Sequence, residues 1–182
     1  MKRVLVPGLL GVAVLIVWTL IVNGLLGFRS RMEMKRVPNE SYVYAVLAVN
    51  VTEPGRYVCN PDPLPDGSPD REAAVYGILY SGIGHDRAGS LLLAQLMIVF
   101  APLLATWLLA QMPDLLLRSL PRKVLVFTTI GLVIALYVRL QEFGIAARTP
   151  GDALKLAIHD VALWTVMGLV VGWRMRHRSA RG

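Results

Sequence analysis

Two long stretches of this 182-residue chain, Val4–Gly27 and Ala88–Pro113, contain no charged residue. Val124–Val138 and Val161–Trp173 are also uncharged, and each continues into a polar end. A bilayer core about 30 Å thick is crossed by roughly 20 helical residues. Four such stretches predict a mainly α fold, a four-transmembrane-helix bundle. With 55% apolar and 17% charged residues, the chain has more apolar material than a soluble domain of this size can bury. The expected helices are residues 4–27, 88–112, 124–143 and 154–173. Residues 113–123 and 144–153 form short loops, and 174–182 a basic tail. Residues 28–87 form a small extracytoplasmic α+β loop cap between helices one and two.

The net charge of +7 is concentrated. Lys2 and Arg3 precede the first span. Arg118, Arg122 and Lys123 lie between the second and third, and Arg174, Arg176, Arg178 and Arg181 follow the fourth. A four-span path brings all of these to one side. The positive-inside bias then makes both termini cytoplasmic and residues 28–87 periplasmic, in a cell inner membrane. Arg29, Arg31, Lys35 and Arg36 run against the bias, but long loops cross largely regardless of charge. The basic tail is expected on lipid head groups. Nucleic acid is not expected as a partner, because no groove-reading or base-stacking element accompanies the charge. The single cysteine, Cys59, excludes an internal disulfide and a thiol oxidoreductase that needs a redox pair. The first span is too long for a cleaved signal peptide and reads as an uncleaved anchor.

Within the cap, Pro38 stops the first helix, and Asn39 or Ser41 can cap a new helix through about Asn50. Ser41–Val51 also suits a strand, and the caps favour the helix. Thr52–Gly55 reads as a turn. Arg56–Cys59 and Ala73–Tyr80 then read as an antiparallel hairpin around the proline-rich Asn60–Asp70. Two strands alone are marginal, so the cap must pack on the membrane helices or on a partner. Asn23 should seek a neighbouring helix or interfacial water. Pro102 should kink its helix or be covered by a neighbour. The short 113–123 loop makes spans two and three close antiparallel neighbours. Gly168 and Gly172 form a GxxxG pattern that permits close backbone approach, inside the bundle by the first reading and between molecules by the second. Trp173 suits an interfacial anchor.

The local feature that suggests chemistry is the polar cluster Arg139, Glu142, His159 and Asp160. Arg139 lies about 24 Å along a helix from Lys123, and Asp160 about 21 Å from Arg174. If Lys123 and Arg174 share a level, so do Arg139 and Asp160. An ion pair is expected, with Glu142 or His159 as a third member, because an isolated intramembrane charge is costly. As a clamp it joins two helices; as a site it serves an ion, a proton or a polar head group. His159 has no second intramembrane histidine for a bis-histidine haem, since His85 lies in the loop and His177 in the tail. A single-ligand chlorophyll-type pigment at His159 stays open; no other cofactor and no metal is predicted. The chain carries no HExxH, CxxC pair, P-loop, GxSxG or dinucleotide fingerprint. His85-Asp86 in the glycine-flanked GIGHDR segment is the remaining catalytic candidate, and no serine or second ligand stands at a known spacing from it.

The helix start at Pro38-Asn39-Glu40 and the turn Glu53-Pro54-Gly55-Arg56-Tyr57, set between a first span and three later ones, resemble small uncharacterised bacterial four-helix inner-membrane proteins. That resemblance implies the layout and carries no activity. The functional expectation is a non-catalytic accessory or scaffold subunit of a larger membrane complex, of respiratory or photosynthetic type. Its partners would be lipids and other membrane subunits. The alternative is a small transporter or lipid-binding protein using the Arg139/Asp160 region.

Overall fold

The computed structural model describes residues 2–28, 31, 37–60, 63–68, 76–82, 88–113, 117–141 and 150–176; the side chains of 2, 3, 88–98, 139–141 and 176 lie outside that description. Helix α1 spans Lys2–Trp18 and runs on as a π-helical segment, Thr19–Leu25. Pro7 is the sixth residue of α1 and lies inside the helix, where it removes the N–H that would reach the Arg3 carbonyl. Asn23-Gly24 is a weak helix-forming pair, and the wider turn occurs around it. The Leu26 N–H reaches back five residues to the Ile21 carbonyl at 3.0 Å. Gly27, at φ 57°, then turns the chain out of the helix, a conformation that favours glycine.

The connecting segment contains α2, Glu40–Asn50, and strands β1, Gly55–Cys59, and β2, Tyr76–Tyr80. The strands are antiparallel, in register from Gly55 with Tyr80 to Cys59 with Tyr76. Asn39 is the N-cap of α2, but its side chain makes no capping hydrogen bond there, and Ser41 lies inside the first turn, so the expected side-chain cap is absent. Gly82 sits at φ 65° against the Pro54 ring, where a Cβ would collide, so both ends of the hairpin are pinned together. The Asp66 carboxylate accepts from the Ser68 N–H and hydroxyl, which holds it below the usual carboxylate range.

Helix α3 spans Ala88–Ala110, α4 Leu120–Gln141 and α5 Pro150–Arg176. Val4–Leu25, Leu120–Val138 and Pro150–Met175 are long and apolar enough to cross a membrane. The molecule is therefore a mainly helical, multi-pass membrane protein with a small two-stranded sheet. Pro121-Arg122-Lys123, expected as the end of a loop, forms the first turn of α4, with proline at a position that needs no N–H partner. Similarly, α5 begins at Pro150 and absorbs the first residues of the basic tail.

The helices pack in the order α4, α5, α1, α3. Glycines make each interface close. On α4, Gly131 lies under Trp164 of α5; on α5, Gly168 faces Phe127 and Val124, and Gly172 faces Leu120 and Lys123. On α1, Gly8 receives Leu103 and Thr106 of α3, while Gly11 touches Pro102 as well as Met167 and Val171 of α5. Pro102 is thus covered, and the Thr106 hydroxyl donates to its carbonyl at 2.7 Å. The second and third spans are not the close neighbours that the short loop between them suggests. α3 and α4 touch only slightly, because α3 settles on the glycine face of α1 and α4 uses its own on α5. Leu109, Phe127, Met167 and Val171 are fully buried together, toward the end where α1 begins and α5 ends.

Candidate functional site: a clamped histidine between two helices

His159 of α5 is 8% exposed and faces the end of the first helix. The Trp18 indole N–H donates to His159 Nε2 at 2.9 Å. Indole nitrogen can only donate, so Nε2 accepts, and the neutral ring carries its proton on Nδ1. That Nδ1–H points at Asp160 Oδ1, 3.2 Å away. Phe28 stacks on the imidazole at 5.2 Å and 11°, and Trp18 meets it edge-on at 5.7 Å and 60°. Trp18 and Phe28 are ten residues apart, which a straight α-helix would space by about 15 Å. Both rings reach one imidazole because the π-helical turn and Gly27 intervene. The local backbone irregularity of the first helix and the aromatic clamp are thus one feature.

Asn23 lies in the same π-helical segment, and its Oδ1 is buried without a hydrogen-bond partner among the described residues. A second polar contact lies deeper between α4 and α5. Thr165 Oγ donates to the Val161 carbonyl at 2.8 Å, so the 2.9 Å contact with Thr128 has Thr128 as donor. Lys123 is 1% exposed, with its stem beside Gly172.

The structure brings His159 and Asp160 together. Glu142 and the Arg139 side chain lie outside the described residues. The pairs Gly131–Trp164, Thr128–Thr165 and Phe127–Gly168 define the α4–α5 register. They set Asp160 opposite about residue 134, so the Arg139 backbone stands roughly 7 Å beyond it. Lys123 packs against Gly172, two residues before Arg174, so Lys123 and Arg174 stand about 3 Å apart along the helices. Asp160 has a further interaction besides that with His159. Arg174 is partly exposed and Trp173 exposed at the end of α5, whose last residue is Arg176; Arg178, Arg181, His85 and Asp86 lie outside the described residues.

Chemically, the described arrangement is a closed hydrogen-bond chain from indole to imidazole to carboxylate. Both ring nitrogens are engaged, so a pigment metal at Nε2 would have to displace Trp18. Among the described residues no group of three His, Cys, Asp or Glu is placed to hold a metal ion. Sequence reasoning found His159 and missed Trp18 and Phe28. The signal available was an aromatic residue at each end of Trp18–Phe28, flanking Asn23-Gly24 and a helix-ending glycine. No family model matches the chain, and neither a curated protein nor a solved structure matches it.

Proposed function

We propose that this chain is a non-catalytic accessory or scaffold subunit of a larger membrane complex. In that reading it crosses an inner membrane four times, with both termini cytoplasmic and residues 28–87 periplasmic. The observation that carries it is the β1–β2 hairpin. The sheet has two strands among the described residues, and Val58, Tyr76, Leu79 and Tyr80 are exposed on it. A hairpin of this size is marginal alone in water, and open strand edges with apolar side chains are a pairing surface. Among the described residues the extensive contacts of the hairpin strands are with each other, and those of the long helices are with one another. A partner subunit would supply the missing layer. The hydrogen-bonded His159 supports a structural role for the polar cluster over a transport or lipid-binding one, because it presents a satisfied ring.

The test is purification of the tagged full chain from its native membranes in mild detergent. A stoichiometric complex is expected, and Leu79→Arg should release the partner while the chain stays in the membrane. Recovery of the wild-type chain as a monodisperse monomer would contradict the proposal.

A further inference from the structure

Helix α2 has a different problem from the hairpin. Its eleven residues, ESYVYAVLAVN, hold one charge, Glu40, at the N-terminus. Polar groups otherwise sit at its ends, where Asn50 Nδ2 turns back to the Val46 carbonyl at 2.7 Å. No residue of α2 is buried. Val43 and Leu47 are partly covered and the other residues of α2 are exposed; among these Tyr42, Val46 and Val49, at i, i+4 and i+7, line one stripe, with Tyr42 71% and Val49 78% exposed. A helix apolar on this much of its surface belongs in an apolar medium. At this length it is too short to span a bilayer but suits an interfacial segment.

Three observations say which medium. The first is the tether. The C-terminal end of α2 is five residues from Gly55, Gly55 pairs with Tyr80, and Tyr80 is eight residues before the start of α3. An extended chain covers at most about 3.5 Å per residue, so α2 lies within about 50 Å of the start of α3, on the side where α1 ends and α3 begins. The second is the tyrosines. Of the six in the chain, five lie in the segment carrying α2 and the hairpin, and the sixth, Tyr137, is exposed near the end of α4 on that same side. Tyrosine concentrates where membrane meets water. The third is charge. Arg29, Arg31, Lys35 and Arg36 immediately precede α2 in the sequence and complement lipid phosphates.

We propose that α2 is a membrane-interfacial helix, seated in the bilayer leaflet at the end of the bundle opposite the termini, with Tyr42, Val46 and Val49 in lipid. The stripe sinks about 5–10 Å into the boundary between head groups and acyl chains. α2 would thereby hold the hairpin at the membrane surface without using the hairpin's own apolar face. The proposal is separate from partner docking, because it concerns a different element and requires only lipid.

The test uses the full chain in vesicles, alone. Cys59 is the only cysteine, so Cys59→Ser gives a clean background for Val46→Cys, Val49→Cys and, as a water reference, Ser68→Cys. All three positions are exposed or partly exposed, so a spin label does not disturb a core. Relaxation by oxygen and by a water-soluble nickel chelate is then compared in phosphatidylcholine vesicles with and without phosphatidylglycerol. Labels at 46 and 49 should favour oxygen and the Ser68 label nickel, with the contrast strengthened by the anionic lipid. Labels at 46 and 49 that respond to nickel as the Ser68 label does would overturn the proposal. So would labels immobilised and shielded from both agents, which is the signature of a second copy covering the stripe. Should Val46→Cys fail to insert, Tyr42→Cys reads the same stripe one turn earlier. Loss of the partner in Leu79→Arg with an unchanged oxygen response at 49 would separate the two proposals.

Discussion

At the residue scale, the Trp18–His159 bond makes a sharp demand. Trp18→Phe keeps most of the ring but removes the donor, leaving a buried imidazole nitrogen without a partner. Leaving one buried polar group unsatisfied costs about 1–3 kcal/mol. The loss should appear in reversible unfolding in detergent. A cycle with His159→Phe should then show the double variant losing less than the sum of the singles, since the second change removes the orphan. Additive losses would mean that the bond contributes nothing. Asp160→Asn should also destabilise, because Asp160 accepts from Nδ1 and makes a further interaction.

At the element scale, α4 and α5 depend on residues too small to keep them apart. Gly131→Leu would drive a side chain into Trp164, and overpacking of this kind costs about 1–3 kcal/mol. Gly24 is the contrast, because a Cβ there meets nothing closer than 3.8 Å. Gly24→Ala should cost less than Gly131→Leu, because nothing stands close enough to be overpacked. The same unfolding assay ranks the pair, and an equal loss from both would show that the Gly131 contact does not matter. Thr128→Val should cost about 0.6 kcal/mol, typical of a hydrogen bond between membrane helices.

The elements themselves were largely legible in the sequence. Uncharged runs longer than a bilayer requires have few alternatives, and α2 and the hairpin followed from proline, glycine and residue type. Helix ends were less so. Pro121-Arg122-Lys123 and Pro150 read as loop but belong to helices, because proline stops a preceding helix and also suits the first turn of the next. The pairing of helices was not legible. A short loop suggests that α3 and α4 are neighbours, whereas Gly8 and Gly11 on α1 decide where α3 goes. Charge singled out His159 and Asp160 in the sequence; the aromatic partners of His159 were hidden, since Trp18 and Phe28 converge only where a π-helical turn and Gly27 intervene.

At the scale of the whole molecule, everything proposed requires a membrane bundle that holds residues 28–87 on the side opposite both termini. Cys59 reports on this directly, being exposed, at the end of β1 and unique in the chain. Intact cells producing the full chain are treated with a membrane-impermeant maleimide, before and after permeabilisation. The account predicts that Cys59 is labelled from outside the inner membrane in cells whose cytoplasm stays sealed, while a cysteine added after Gly182 is labelled only once the membrane is opened. The reverse pattern, Cys59 protected until lysis, would contradict it.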